Sequence, residues 1–456
     1  MKSAPPFHQK KVHLVGIGGI GMSALAIVLQ EHGSVVSGSD AGAGEQLPRL
    51  AAGGIEVFTG HSLQHLPSDA DCLVTTAAIG EGNPEVEEAH RRGIPVFSYA
   101  QALGRVSKAW ETTAVAGTHG KTTTAAMLTW ILIVAKRDPS AVIGGIVPQL
   151  GGNALCGKGG AMVVEACEFN RSFLELDPLH AVITNVADDH LDYYGSSDQL
   201  RAAFRNFATN VRAEGILVTP ALVARDLDLR GAVKGRLVTI GNKPRDVQIL
   251  RATAGFRIRM PESGETPVIS MKMPGKHNEV NATAAAVIAH VGYGVDLKTI
   301  GKALNGFDGV ERRFRILRND DHAVVIDDYA HHPEEIEATL LTAKEMYPDR
   351  RLVAVFQPHL ADRVRRQQSG FLNALSYADE LFLVRDYRVL GRDEDGRNGA
   401  QRLTDAMTSL NMKHVFCQDL EGCSRLVGER HKPRDVVCVM GAGDVGEVSL
   451  ELAREL

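Results

Sequence analysis

The chain has 456 residues, 44% of them hydrophobic and 23% charged, which is too long for one ordinary core of about 100–200 residues and excludes a disordered or membrane-embedded class. The net charge of -5 excludes the broad basic face that nucleic-acid binding uses, so anions must be held locally. The six cysteines form no C-x-x-C pair, so reduced, buried thiols are expected rather than a zinc site or a disulfide framework.

From the N-terminus, MKSAPPFHQKK carries no apolar leader run, and nothing downstream reaches the ~18 consecutive apolar residues of a membrane span. A cytoplasmic protein without membrane insertion is expected. Short β-branched runs then alternate with helical patterns almost to the C-terminus, which is the pattern of parallel sheets built from βαβ units and predicts an α/β fold. Strands are predicted at Lys11–Val15, Val35–Ser37, Cys72–Thr75, Thr113–Ala116, Met162–Glu165, Ala181–Thr184, Ala323–Ile326, Leu352–Phe356, Glu380–Val384 and Val436–Met440. Three turns rich in glycine or histidine open helices, at Gly16–Gly21, Gly117–Lys121 and Tyr329–Pro333, and each marks a domain's main site. The predicted domains are 1–109, 110–312 and 313–456. Gly/Pro-punctuated short strands between Ala213 and Met273, GRLVTIGN and FRIRMPESGETPVISMKM, predict a small antiparallel layer attached to the central domain.

The first turn places Gly16, Gly18 and Gly21 in G-x-G-x-x-G spacing between a strand and a helix. Glycines there let backbone N–H groups approach a diphosphate at the helix N-terminus, where peptide dipoles favour negative charge. Asp40, closing the next strand, stands where an acid that binds a ribose is expected. This loop alone would suit a nicotinamide-dependent oxidoreductase. The doubled Gly18-Gly19 is not demanded by such a cofactor, and the second turn points elsewhere.

That second turn runs from an apolar strand through Gly117-Thr118-His119-Gly120-Lys121-Thr122-Thr123 into a helix, which is a P-loop in context. Its backbone N–H groups would cradle the phosphates of ATP, Lys121 would place a charge at the β/γ bridge, and the Thr122 hydroxyl would ligate Mg²⁺. Val115 stands where the general pattern has its first glycine. A P-loop needs metal-facing groups on neighbouring strand ends, and Glu165, closing M-V-V-E, and His190, in A-D-D-H-L-D, are the candidates. A solvated acid or a satisfied core histidine is the ordinary alternative for either residue taken singly. The G-A-G-D-V-G run after Met440 is expected to be a turn into a helix, not another phosphate site.

With these residues in place, the chain resembles the Mur ligase family, and the resemblance covers nearly its whole length. It rests on the order of G-I-G-G-I-G-M-S-A-L-A (16–26), S-G-S-D (37–40), G-T-H-G-K-T-T-T (117–124), E-A-C-E (165–168), T-N-V-A-D-D-H-L-D (184–192), H-N-E-V-N-A-T-A-A (277–285), R-R-F (312–314), D-D-Y-A-H-H-P (327–333), F-Q-P-H (356–359) and M-G-A-G-D (440–444). It implies Rossmann-like first and third domains around a central P-loop ATPase-like domain, with ATP and Mg²⁺ required. Gly18, Gly19, Asp40 and His61 would hold the UDP part of a substrate. Thr122, Glu165 and His190 would surround the metal, Asn278 and Asn281 would face the adenine, and Arg313, Asp328, His331, His359 and Arg363 would arrive as the third domain closes over the site. Arg205 stands where family members that add later amino acids carry a lysine modified to a carbamate. Arginine cannot form that group, so the implied activity is addition of L-alanine to UDP-N-acetylmuramate in peptidoglycan synthesis, with a monomer or weak homodimer and only small-molecule partners. Ala330 and Leu360 depart from the family's usual glycine and arginine.

The chemistry implied is activation of a carboxylate by the γ-phosphate of ATP to an acyl phosphate, followed by attack of a neutral amine, with His331 or His359 as base or positioning group. A ligase recycling muramyl peptides, a ligase using glycine or serine, and a non-catalytic nucleotide sensor remain alternatives at this stage.

Overall fold

The structure, a computed structural model, describes residues 6–42, 44, 46–387 and 398–456. The first five residues of the N-terminal stretch discussed above lie outside the described residues. Contacts gather the chain into two compact units, Met1–Lys272 with Asn278–Val310, and Met273–His277 with Glu311–Leu456.

In the first unit, β1 (Lys11–Val15), β2 (Val35–Asp40), β3 (Glu56–Thr59), β4 (Cys72–Thr75) and β5 (Val96–Ser98) form a parallel sheet in the order β3-β2-β1-β4-β5. Strand order reverses between β1 and β4, so the loop after β1 opens at a topological switch point, where doubly wound sheets hold ligands.

The same unit carries a second sheet of β6 (Glu111–Ala116), β7 (Ser140–Val147), β8 (Gly152–Leu155), β9 (Ala161–Glu165), β10 (His180–Ile183), β11 (Ile216–Pro220) and β12 (Arg236–Ile240). Its order is β12-β11-β10-β6-β9-β7-β8, parallel except where β8 runs against β7. Strands β6, β9 and β10 are buried along almost their whole length, as strands covered on both faces must be, with β6 apolar in its second half. Because β6 lies between β9 and β10, their carboxyl ends deliver three loops to one edge of the sheet. A continuous apolar core includes residues of both sheets, and Asn153 Nδ2 donates to the Ile20 carbonyl at 2.6 Å and to Ser23 Oγ at 3.0 Å.

A three-stranded antiparallel layer, β13 (Gln248–Ala252), β14 (Gly255–Met260) and β15 (Gly264–Glu265), follows. The expected layer exists, but GRLVTIGN does not belong to it: that segment is β12, a parallel edge strand paired with β11. Its single buried face gives it the mixed composition that reads as antiparallel.

The second unit holds β16 (Arg315–Asn319), β17 (Ala323–Asp328), β18 (Leu352–Phe356), β19 (Glu380–Val384), β20 (Val415–Cys417) and β21 (Asp435–Met440) in the order β16-β17-β21-β18-β19-β20, parallel apart from β16. Among the described residues no helix is long and apolar enough to cross a membrane. Cys72, Cys417, Cys423 and Cys438 are free and buried as expected. Cys167 is exposed, because it follows β9 in a loop instead of lying within the strand.

Candidate active site

Strand β6 continues through Ala116, so Val115 is strand interior, paired with Val182 and Glu165 and fully buried. That position needs no glycine because the loop begins two residues later. A side-chain carbon at Gly117 (φ 138) would lie 1.9 Å from Thr184 Oγ1, and Gly120 caps the helix Lys121–Val134 from the left-handed region at φ 79. The loop is tied to the segment after β10: His119 N donates to Asn185 Oδ1 at 3.0 Å, Thr184 Oγ1 donates to the His119 carbonyl at 2.6 Å, and Thr118 Oγ1 donates to the Ala187 carbonyl at 3.2 Å. A loop fixed this way keeps the first N–H groups of the helix aimed at one point, which suits a phosphate. Thr122 and Thr123 are buried at the start of the helix.

Lys121 Nζ donates to the carbonyls of Gly117 at 2.6 Å and Thr118 at 3.0 Å and to both oxygens of Glu168, at 2.8 and 3.1 Å. Burial disfavours the ammonium, but the Glu168 carboxylate outweighs it and keeps Lys121 charged well above the ordinary lysine range. Glu168 is 2% exposed and escaped the sequence reading as a separate site residue. The signal for it was the second acid of E-A-C-E, three positions beyond the strand end.

Glu168 also lies near His190, whose Nε2 is 3.9 Å from Glu168 Oε1 and 3.5 Å from Asp189 Oδ2. Ligand atoms of Glu168, Asp189 and His190 all fall within 4.8 Å of one another. His190 adopts φ 53, an uncommon left-handed conformation for a non-glycine residue. Of the sequence-predicted metal group, His190 is thus joined by Glu168 and Asp189, while Glu165 Oε2 accepts the Gly144 N–H at 2.8 Å. The two clustered carboxylates offer the hard oxygen donors that a divalent cation such as Mg²⁺ requires, and the imidazole is the softer member of the set. Asn278 and Asn281 lie one helical turn apart, both buried, with Asn281 Nδ2 donating to Asn278 Oδ1 at 3.3 Å. A side-chain carbon at Gly120 would come within 2.6 Å of Asn281 Oδ1, so this pair lies beside the loop. Arg205 donates to the Leu227 carbonyl at 3.1 Å and to Asp228 at 2.8 Å.

In the first sheet, Gly18 N donates to Asp40 Oδ2 at 2.9 Å, which fixes the glycine loop to the end of β2, and Gly19 caps the helix Ile20–Glu31 with no side-chain bond. His61 Nδ1 lies 3.1 Å from Glu85 Oε1 and 3.0 Å from Ser39 Oγ. Glu85, fully buried, also meets His13 Nε2 at 2.7 Å and accepts the Ser39 hydroxyl at 2.8 Å. Burial opposes its ionisation, but His13 and Ser39 outweigh that and hold it below the usual glutamate range. Glu85 is held by its helix: Asn83 Oδ1 caps Pro84–Arg91 by accepting the Glu85 N–H at 3.0 Å. N-P-E was the sequence signal for this acid, and it was not read as one.

The second unit gathers its predicted residues around the end of β17. Asp328 accepts the N–H groups of Phe314 and Ala330, each at 2.7 Å, and burial, opposed by Arg313, pushes its carboxyl up to about 7. The Arg313 guanidinium stands 4.9 Å from the Tyr329 ring centroid, between the left-handed residues Arg312 (φ 56) and Phe314 (φ 50). His331 Nδ1 is 2.9 Å from the Tyr329 carbonyl, which fixes that nitrogen as the donor, and its ring is 5.7 Å from that of His359. Burial, with Arg363 and His359 nearby and Glu335 opposing, pushes His331 down to about 3. Arg363 is buried in the short helix Ala361–Arg366, entered through Leu360 at φ 63. Ala330 lies outside the left-handed region, so its methyl group replaces glycine without strain. The run after Met440 is a turn into the helix Gly446–Glu455, filled by Arg312, which donates to the Gly443 and Gly441 carbonyls at 2.7 Å each.

Three family models match the chain: "Mur ligase family, catalytic domain" over residues 11–111, "Mur ligase middle domain" over 115–289, and "Mur ligase, glutamate ligase domain" over 312–443. The UDP-N-acetylmuramate–L-alanine ligase of Carboxydothermus hydrogenoformans is 39% identical, the alignment covering 97% of this chain and 96% of the relative. That of Chlorobium phaeovibrioides is 37% identical over 98% and 97%. The crystal structure of the UDP-N-acetylmuramate–alanine ligase of Thermotoga maritima superposes with a TM-score of 0.82 at 31% identity, covering 98% of each chain. A murein peptide ligase from Psychrobacter arcticus shares the fold, with a TM-score of 0.73 at 24% identity and 98% of each chain covered. With α/β sheets matched from end to end in this way, the chain is a three-domain enzyme scaffold that belongs to the Mur ligase family.

Proposed function

We propose that the protein is a cytoplasmic, ATP-dependent ligase that joins L-alanine to UDP-N-acetylmuramate, giving UDP-N-acetylmuramoyl-L-alanine, ADP and phosphate in peptidoglycan synthesis. The observation that carries the ATP-dependent step is the Lys121 ammonium, held at the mouth of the glycine loop by Glu168 beside His190 and Asp189. The choice of substrates is supported by likeness to the alanine ligases over the whole chain.

In this reading the domains are 1–109 for the UDP substrate, 110–312 for ATP and 313–456 for closure over both. Gly117 to Thr123 wrap the phosphates, and Asn278 and Asn281 face the base. The muramyl carboxylate attacks the γ-phosphorus in line, breaking the bond to the ADP oxygen, and Lys121 neutralises charge on the transferring group. Glu168, Asp189 and His190, with Thr122 and Glu165, would hold Mg²⁺, which when bound supplies charge neutralisation at the phosphate oxygens. The amine of alanine then adds to the acyl carbon of the acyl phosphate, and phosphate leaves with the bonding pair of the C–O bond. Arg313, Asp328 and Arg363 orient substrates from the third domain. Burial makes His331 weakly basic, which suits a positioning role, and His359, whose ring is 5.7 Å away, is the candidate proton acceptor. His61, oriented by Glu85, and Asp40, through Gly18, shape the site for the UDP part.

Phosphate release from ATP, measured with UDP-N-acetylmuramate and each of L-alanine, glycine and L-serine against a control without amino acid, tests the proposal. Release that requires both the muramyl nucleotide and L-alanine is expected. Release that is indifferent to the muramyl nucleotide would sink the assignment.

A further inference from the structure

Beyond the strands that carry the phosphate loop, the first unit has a cavity of about 950 Å³, open to solvent on one side, along β12, the terminal strand of the central sheet. Its walls come from five separate segments: the loop before β12, β12 itself, the loop after it, the turn leaving β14, and a π-helical turn at Ile288–Gly292. None of them belongs to the glycine loop or to the segments after β9 and β10. The volume suits a nucleotide-sized molecule.

The charges lining this cavity are unlike those around it. Of the arginines between positions 201 and 265, Arg201, Arg205, Arg212, Arg225, Arg251, Arg257 and Arg259 each face a carboxylate within ion-pair distance. Arg230, Arg236 and Arg245 have no side-chain partner among the described residues, and all three line the cavity. They come from three segments and are exposed, and His290 and Glu262, the acid present, line the same cavity. Buried Val247 and Met260 give the cavity an apolar floor. In a chain of net charge -5, three uncompensated guanidiniums at one concave site focus positive potential there. One carboxylate would be satisfied by one bidentate arginine, whereas several converging guanidiniums match the many oxygens of phosphoryl groups. π-helical turns such as the one carrying His290 recur at functional sites.

We infer that this cavity is a second anion site, distinct from the ATP site, which takes a small organic phosphate: a ring seated on the apolar floor and at least two phosphoryl charges on Arg230, Arg236 and Arg245. Hydrogen exchange of the full-length protein, read segment by segment with adenosine 3′,5′-bisphosphate and with inorganic pyrophosphate, tests it without reference to turnover. The bisphosphate is expected to slow exchange across residues 229–247 and 288–292, and pyrophosphate, lacking the ring, to do so more weakly. The exposed-site double variant Arg236→Ala, Arg245→Ala is expected to weaken that protection by about tenfold or more, since each charged hydrogen bond is worth roughly one decade, while melting as the parent does. The matching double lysine variant should fall between the two. The inference is overturned if protection appears only at 117–124, if sulfate at equal ionic strength protects as well as the bisphosphate, if only an acidic peptide such as polyglutamate protects, or if the double alanine variant binds undiminished. Because these readouts do not involve ligation, their failure leaves the proposed reaction untouched, and loss of ligation would leave this site standing.

Discussion

At the level of single residues, Lys121 and Glu168 form one device. The ammonium needs a carboxylate to remain charged where burial disfavours it, and that carboxylate is also a prospective cation ligand. Lys121→Ala in folded protein should lower kcat for alanine-dependent phosphate release by about 10²–10³, the usual effect of removing one transition-state charge contact. Undiminished coupling would remove the basis of the mechanism. Glu168→Gln keeps the shape and removes the charge, and should raise the Mg²⁺ concentration needed for half-maximal rate by about tenfold or more. An unchanged Mg²⁺ titration would take Glu168 out of the metal site. His331 is neutral far below physiological pH. His331→Ala should therefore lower the rate without moving the pH-rate profile, whereas His359→Ala should remove its acidic limb. Identical profiles for parent and both variants would eliminate a histidine base.

At the level of elements, the loop between β6 and its helix depends on close approach to the strand end of β10. Gly117→Ala places a methyl group against Thr184 in a backbone region that side chains avoid, and should destabilise the first unit by about 1–3 kcal/mol. Thr184→Ala added to it should restore part of the loss, as read by urea midpoints, and strict additivity of the two would show that the contact is not the cause. The end of β17 predicts a pH effect. An unfolded aspartate ionises near pH 4, whereas Asp328 folded ionises at about 7. The folded state therefore holds the extra proton between those values, so stability of the second unit should fall as pH rises through that window, by up to about 1.4 kcal/mol per unit, and level off above it. Asp328→Asn should flatten the slope, and a slope that survives this change would place its origin elsewhere. Neighbouring Asp327, also raised by burial, acts with the same sign.

Across the whole molecule, function rests on three α/β sheets whose strand ends present short loops, and the order of those loops along the chain was readable without any structure. The glycine loop, Lys121 and His190 follow from local chemistry: a strand, a tight turn, then a helix or a polar residue after a strand end; Asn281 and Asp328 are singled out only through the resemblance to the family. The β-branched runs within β1, β6, β18 and β21 likewise identify buried parallel strands, because a strand covered on both faces has no polar alternation to hide it. Three features needed the folded chain. GRLVTIGN became a parallel edge strand because its partner β11 lies some sixteen residues or more away along the chain, and pairing partners leave no local mark. Glu85 and Glu168 were written as ordinary acids, yet they are buried at the centres of their sites by groups up to 72 and 47 residues distant. The arginines around β12 show the same division from the other side: sequence counts them with every other arginine, and only the tertiary packing decides which of them meet a carboxylate and which are left facing a cavity. Local propensity and apolar pattern act within a few residues, whereas charge compensation and burial are properties of neighbours brought together by the fold.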